Sequence, residues 1–207
     1  MLKITKGDIK PIFFDIKKKY SVYDELREKE KDEIKKILIK EQHNRCVYCM
    51  CRIDLASTSI EHYIPQSKDP AASLDYRNMF AVCNITKDKP REHQTCDAHR
   101  GNVPLRINPL KQNDIDTIQY THSGEISSVN EDFKYDITDT LHLNDERLKN
   151  NRKAALQSLA NRSNRNKDKE WGKDKIKKFL SVLYSPDNDT PYAGFLIYML
   201  ERRLERA

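Results

Sequence analysis

The chain reads as an α+β protein: a small zinc-bound ββα core, flanking helices and an extra β-hairpin. Three observations predict this. All five cysteines, Cys46, Cys49, Cys51, Cys83 and Cys96, fall within about a quarter of the sequence, and such clustering favours metal ligands over disulfides. Short segments of strand length, bounded by turn residues, lie among and after them. Toward both ends, apolar residues recur at helical spacing.

In order, 23–42 predicts an amphipathic helix carrying Leu26, Ile34, Ile37 and Leu38. Segments 50–54 and 59–64 read as two strands joined by Ala56-Ser57-Thr58, followed by a loop over 65–75 that contains Pro70. A short helix is expected over 96–100, ended by Gly101. Segments 115–120 and 125–129 predict a second hairpin turning at Ser123-Gly124, with a third extended piece over 133–137. Asn144 is expected to cap a helix with Asp145 and Glu146 in its first turn and Leu148, Leu156 and Leu159 along it. A basic connector over 162–169 then leads to helices over 169–184, containing Trp171, and over 192–203, preceded by Pro191. This divides the chain into a helical lead-in (1–45), a core (46–104), a hairpin segment (105–140) and a helical region (141–207).

Composition bounds the function without fixing it. Hydrophobic residues make up 37% and charged residues 34% of 207, so the core is modest and a bound metal has work to do. The net charge of +6 suits a phosphate-rich partner but is too common to demand one. No apolar run approaches the ~18 residues of a membrane span, and the start has no signal-peptide-like stretch. The expectation is a cytoplasmic protein.

Cys46-Val47-Tyr48-Cys49 has the spacing of a knuckle that turns two thiolates toward one zinc. Cys83 and Cys96 supply the other two ligands in the preferred set, although His93 or His99, each three residues from Cys96, can stand in for Cys83. Cys51 reads as a packed strand residue. A redox role for Cys46 and Cys49 would need a thioredoxin-like βαβ setting, which the sequence lacks.

Glu61-His62 lies between the two halves of this frame. At a twisted strand end, a carboxylate can bind a metal while the adjacent imidazole faces water. That division suits phosphodiester hydrolysis, with the metal taking up negative charge and neutral histidine removing a proton from water.

The order of knuckle, acid-His pair, Asn78, Cys83 and a short helix after Cys96 resembles the HNH endonuclease family. The segments 37–49, 95–102 and 141–148, with Arg152 and the apolar helix after Pro191-Tyr192, are similar to the HNH nucleases of Septu-type and retron-linked anti-phage defence systems. The resemblance implies a treble-clef ββα-metal fold. It implies His62 as general base, Glu61 as ligand of a catalytic Mg²⁺ or Mn²⁺, and Asn78 as brace of the histidine loop. Asp97, or else His99, would complete that metal site, and Arg100 would meet a phosphate oxygen. DNA is the implied substrate and an ABC/SMC-like ATPase the implied partner. The helical tail after Asn144 is a candidate docking surface. Its basic residues Arg147, Lys149, Arg152, Lys153, Arg162, Arg165, Lys167 and Lys169 form either a phosphate-tracking face or a solvated one. The competing reading is a zinc-bound nucleic-acid or protein adaptor without hydrolytic activity.

Overall fold

A computed structural model of the chain describes residues 1–164 and 172–206, with the side chains of 162–164 left aside. Of the connector expected over 162–169, residues 162–164 are helical instead, and 165–169, with Arg165, Lys167 and Lys169, lie outside the described residues, as does Trp171.

The lead-in holds two helices. α1 (Pro11–Lys19) was not foreseen. Proline in its first turn presets the backbone, Phe13 and Ile16 bury one face, and Lys17–Lys19 occupy the end that favours cations. The helix expected over 23–42 begins later, as α2 (Glu28–Glu41), after a single 3₁₀ turn over Tyr23–Glu25. Leu26 causes the break: it is extended and buried, anchoring the chain before the helical period starts.

After α2 the chain doubles back in the knuckle. His43, Asn44 and Met50 adopt left-handed φ. The N–H of Cys46 bonds the Cys51 carbonyl at 3.0 Å, and that of Met50 bonds the Cys46 carbonyl at 3.1 Å. Segment 50–54 is therefore not a strand. It pairs with the other arm of the knuckle through one bridge, Arg45 to Arg52. β1 (Thr58–His62) instead pairs antiparallel with β2 (Met79–Cys83), matching Glu61 to Phe80 and His62 to Met79. β2 is buried throughout, so it shows no alternation to betray a strand. α3 (Asp97–Arg100) is the short helix expected, and Gly101 follows it at φ +57°.

α4 (Gln112–Ile115) takes the residues expected to begin the second hairpin, which is shorter: β3 (Ile118–Tyr120) against β4 (Ile126–Ser128). Gly124 turns it at φ +84°, where a Cβ would lie 2.4 Å from the Lys149 carbonyl oxygen; no other residue fits that approach. The extended piece expected over 133–137 is helical. α5 (Glu131–Tyr135) is capped by Asn130, whose carboxamide oxygen accepts from the Phe133 N–H, and it runs into a π turn over Asp136–Thr140.

α6 (Glu146–Asn164) is capped by Asp145, which accepts from the Arg147 N–H at 3.1 Å. Asn144 pins β4 instead, exchanging two bonds with the backbone of Ile126 at 2.8 and 2.9 Å. α7 (Lys173–Leu183) and α8 (Ala193–Arg206) pack together, and α8 also packs on β3 and α6. Arg152, expected on a basic face, is buried with its guanidinium on the Gly124 and Leu143 carbonyls. Lys149 is paired with Glu146, and Arg147 with Asp145. No helix among the described residues is long and apolar enough to cross a membrane.

Candidate functional site

Cys46, Cys49, Cys83 and Cys96 are all buried, and their sulfurs lie within 4.8 Å of one another. The Cys46–Cys96 and Cys83–Cys96 sulfurs are 3.8 Å apart, and those of Cys49 and Cys83 3.7 Å. Four thiolates at the Zn–S distance of about 2.3 Å form a tetrahedron with edges of about 3.8 Å. The cluster can hold a zinc ion as it stands. The knuckle supplies two sulfurs, the end of β2 a third, and Cys96 the fourth from a left-handed residue at φ +58° just before α3. His93 and His99 lie outside the group, and Cys51 is buried beside it as a free thiol.

Glu61 and His62 end β1 and are both buried, at 4% and 6% exposure. One Glu61 oxygen, Oε1, accepts from the Tyr48 hydroxyl at 2.7 Å and from the Arg100 guanidinium. Burial, and then the neighbouring Asp97 carboxylate, push Glu61 up to about 8, while Arg100 pulls it down. The two carboxylates are thus close neighbours.

His62 points the other way. Its Nε2 lies 2.9 Å from the Ser73 carbonyl oxygen, which can only accept, so the proton sits on Nε2 and Nδ1 carries the lone pair. Burial lowers the pKa of this histidine from its ordinary value, against the opposing pull of the Ser73 bond and of Asp97. The Tyr23 ring packs edge-on against the imidazole with centroids 4.8 Å apart, and the Tyr23 N–H bonds the Ser73 hydroxyl at 3.1 Å.

Asn78 ties down the loop that returns from His62. Its Oδ1 accepts from the Ile64 N–H at 2.6 Å, and its Nδ2 donates to the Ile64 and Ala72 carbonyls, each at 3.1 Å. Ser73, which orients His62, is the next residue after Ala72.

Two expected residues are engaged within the protein. Arg100 is 1% exposed and gives its donors to Val103, Tyr48, Glu61, His62 and Tyr63. It clamps α3 to the end of β1 and offers no open face to a phosphate oxygen. His99 turns toward His142, its Nδ1 on the Thr140 carbonyl. Glu61, Asp97 and His99 therefore do not form a three-ligand group, and among the described residues the four cysteines are the one group of three or more metal-ligating side chains brought together.

Sequence reasoning missed Tyr23, Tyr48 and Ser73. Tyr48 had a signal, its place inside the knuckle. Ser73 acts through its backbone oxygen and Tyr23 from a distant segment, so neither was readable.

No protein-family model matches the chain. It is 32% identical over 120 residues to the Septu protein PtuB of Bacillus thuringiensis, a match covering 55% of this chain and 42% of that protein. The chain thus aligns with less than half the length of its curated relative, and its similarity is to a protein of the Septu system.

Proposed function

We propose that the chain is a metal-dependent HNH-type endonuclease that hydrolyses DNA phosphodiester bonds in an anti-phage defence system, under the control of an ATPase partner. The observation that carries the chemistry is the fixed tautomer of His62. With Nε2–H held by Ser73, the lone pair on Nδ1 is the base, and the lowered pKa keeps the ring unprotonated at neutral pH. Nδ1 takes the proton of the attacking water. Asn78 keeps the loop, and so the Ser73 carbonyl, in place while that proton moves.

Glu61 and Asp97 suit a hard divalent cation, because two carboxylates crowded enough to raise a pKa are relieved by positive charge. Mg²⁺ or Mn²⁺ characteristically takes one or two protein carboxylates and fills its remaining positions with water and phosphate oxygens. Bound there, it would neutralise charge on the scissile phosphate and its leaving oxygen. Tyr48 and Arg100 hold Glu61 through one oxygen, fixing the carboxylate before the cation arrives. Zinc in the cysteine cluster has a separate task, holding the knuckle, β2 and α3 together. The anti-phage role rests on the similarity to the Septu protein, and the ATPase partner on the resemblance of the sequence to HNH nucleases of such defence systems.

The test compares the chain with its His62→Ala variant for plasmid cleavage in Mg²⁺ or Mn²⁺, with the ATPase present and zinc content checked in both. Loss of the base should lower the rate by ~10²–10⁴ with zinc unchanged. Equal cleavage by the two proteins refutes the role of His62. Absence of cleavage by the unaltered protein under every condition favours the adaptor reading.

A further inference from the structure

His99 and His142 form a second histidine site, apart from His62 and from the cysteines. The two imidazole centroids lie 4.9 Å apart, with the ring planes tilted by 39°. Each is tied by Nδ1 to a backbone carbonyl, His99 to Thr140 at 3.0 Å and His142 to Gln94 at 3.0 Å. A carbonyl can only accept, so in each neutral ring the proton is on Nδ1 and the lone pair on Nε2. This is the arrangement by which proteins orient a metal-binding histidine, with the remote nitrogen anchored and the near one presented.

The anchors are themselves rigid. The Gln94 side chain is bonded to the Lys87 and Lys89 carbonyls. Between the two histidine bonds, the Cys96 N–H donates to the Leu141 carbonyl at 2.8 Å. His142 holds a left-handed φ of +49°, a conformation that costs a non-glycine residue on the order of 1 kcal/mol. Both rings are half-buried, so solvent reaches the site.

We infer that His99 and His142 bind one borderline transition-metal dication, of the Ni²⁺, Co²⁺, Cu²⁺ or Zn²⁺ class, through their two Nε2 atoms. A metal about 2.05 Å from Nε2, in the plane of the ring, lies about 3.2 Å from its centroid. Two such rings have centroids about 4.9 Å apart when the N–metal–N angle is about 100°. The observed spacing meets that value, between the octahedral and tetrahedral angles. Imidazole nitrogen selects this class over Mg²⁺ and Ca²⁺. With two protein ligands the ion keeps open positions for water or an anionic ligand, unlike the closed cysteine cluster.

The experiment titrates Ni²⁺ into the full zinc-loaded chain by calorimetry, with Co²⁺-induced NMR shifts to identify the ligating rings. One ion per chain should bind beyond the zinc and any ion at Glu61–Asp97, shifting His99 and His142. His142→Asn, a residue that tolerates left-handed φ, and His99→Gln should each weaken binding at least ~10-fold. His62→Ala and His122→Ala should leave it unchanged. No uptake beyond zinc, or equal uptake by both folded variants, overturns the assignment. Loss of thermal stability in the variants without any metal uptake by the parent protein would instead identify the pair as two staples between the 94–99 and 140–142 segments.

Discussion

Asn78→Ala removes three buried hydrogen bonds, one accepted from the Ile64 N–H and two donated to the Ile64 and Ala72 carbonyls. Each contributes about 1 kcal/mol net, so the variant should lose about 3 kcal/mol. For a chain of this size 1 kcal/mol corresponds to ~2–4 °C, which gives a fall in Tm of about 6–12 °C. The kinetic effect should be larger than the stability effect suggests. Freed from Asn78, the loop lets the Ser73 carbonyl drift, and His62 loses the partner that fixes its tautomer; misplacement of about 1 Å costs ~10²-fold in rate. Asn78→Asp is the informative companion. It keeps an acceptor for Ile64 N–H but sets a carboxylate against two carbonyl oxygens, so it should be no better than alanine. The assays are a thermal melt of the zinc-loaded protein and single-turnover plasmid cleavage well below the melting range. A Tm within about 1 °C of the parent, or an unchanged cleavage rate, would refute the bracing role.

Arg100→Met leaves the Val103, His62 and Tyr63 carbonyls without their donor and should cost about 3 kcal/mol, at ~1 kcal/mol per bond; chemical denaturation measures this, and a near-neutral result would mean that the clamp is dispensable. Cys46→Ser should lose zinc, read by elemental analysis, together with cooperative folding; a folded variant that retains zinc would exclude the four-cysteine assignment. The pH dependence has two parts of opposite sign. Folded His62 titrates below its ordinary 6.5, so the unfolded chain takes up the proton first, acidification through this window destabilises the fold, and the rising limb of the cleavage profile should lie below pH 6.5. A limb above that value would contradict His62 as the base. In metal-free protein Glu61 stays protonated up to about 8 against 4.5 in the unfolded chain, so stability from this group falls as pH rises between those values. Mg²⁺ or Mn²⁺ should offset the loss increasingly toward pH 8; melts showing no cation effect at either end would argue against a Glu61–Asp97 site.

Features governed by short-range chemistry were legible in the sequence. The Cys46–Cys49 knuckle, the short helix after Cys96 and the turn at Gly124 each depend on a spacing or a backbone requirement visible within a few residues. What failed depended on distant partners. β1 pairs with β2 rather than with 50–54, because β2 is buried on both faces and has no alternation to read. The 133–137 segment follows its Asn130 cap into a helix. Asn144 has the chemistry of a cap, yet the nearby hairpin claims its carboxamide. At the site, the adjacency of Glu61 and His62 was plain, but their orientations are set by Tyr48, Arg100 and Ser73, which approach from three other segments. The resemblance implies a phosphate contact for Arg100, at a position where the family often has a basic residue. Only the fold shows that its donors are already engaged.

Buried Arg152 is bonded to two carbonyls and forms no ion pair with any described carboxylate. Burial lowers its pKa, and the groups that oppose this are the Tyr120 and Tyr192 hydroxyls and the Cys49 and Cys96 sulfurs. Four thiolates around one zinc carry a net charge of about −2, so the loaded cluster is the counter-ion that this guanidinium lacks. Emptied and reprotonated, the cluster would leave a cation stranded in an apolar interior, and α6 would be driven off the core to hydrate it. The expected consequence is that zinc loading and the docking of α6 are coupled, so that chelation should loosen α6 along with the knuckle.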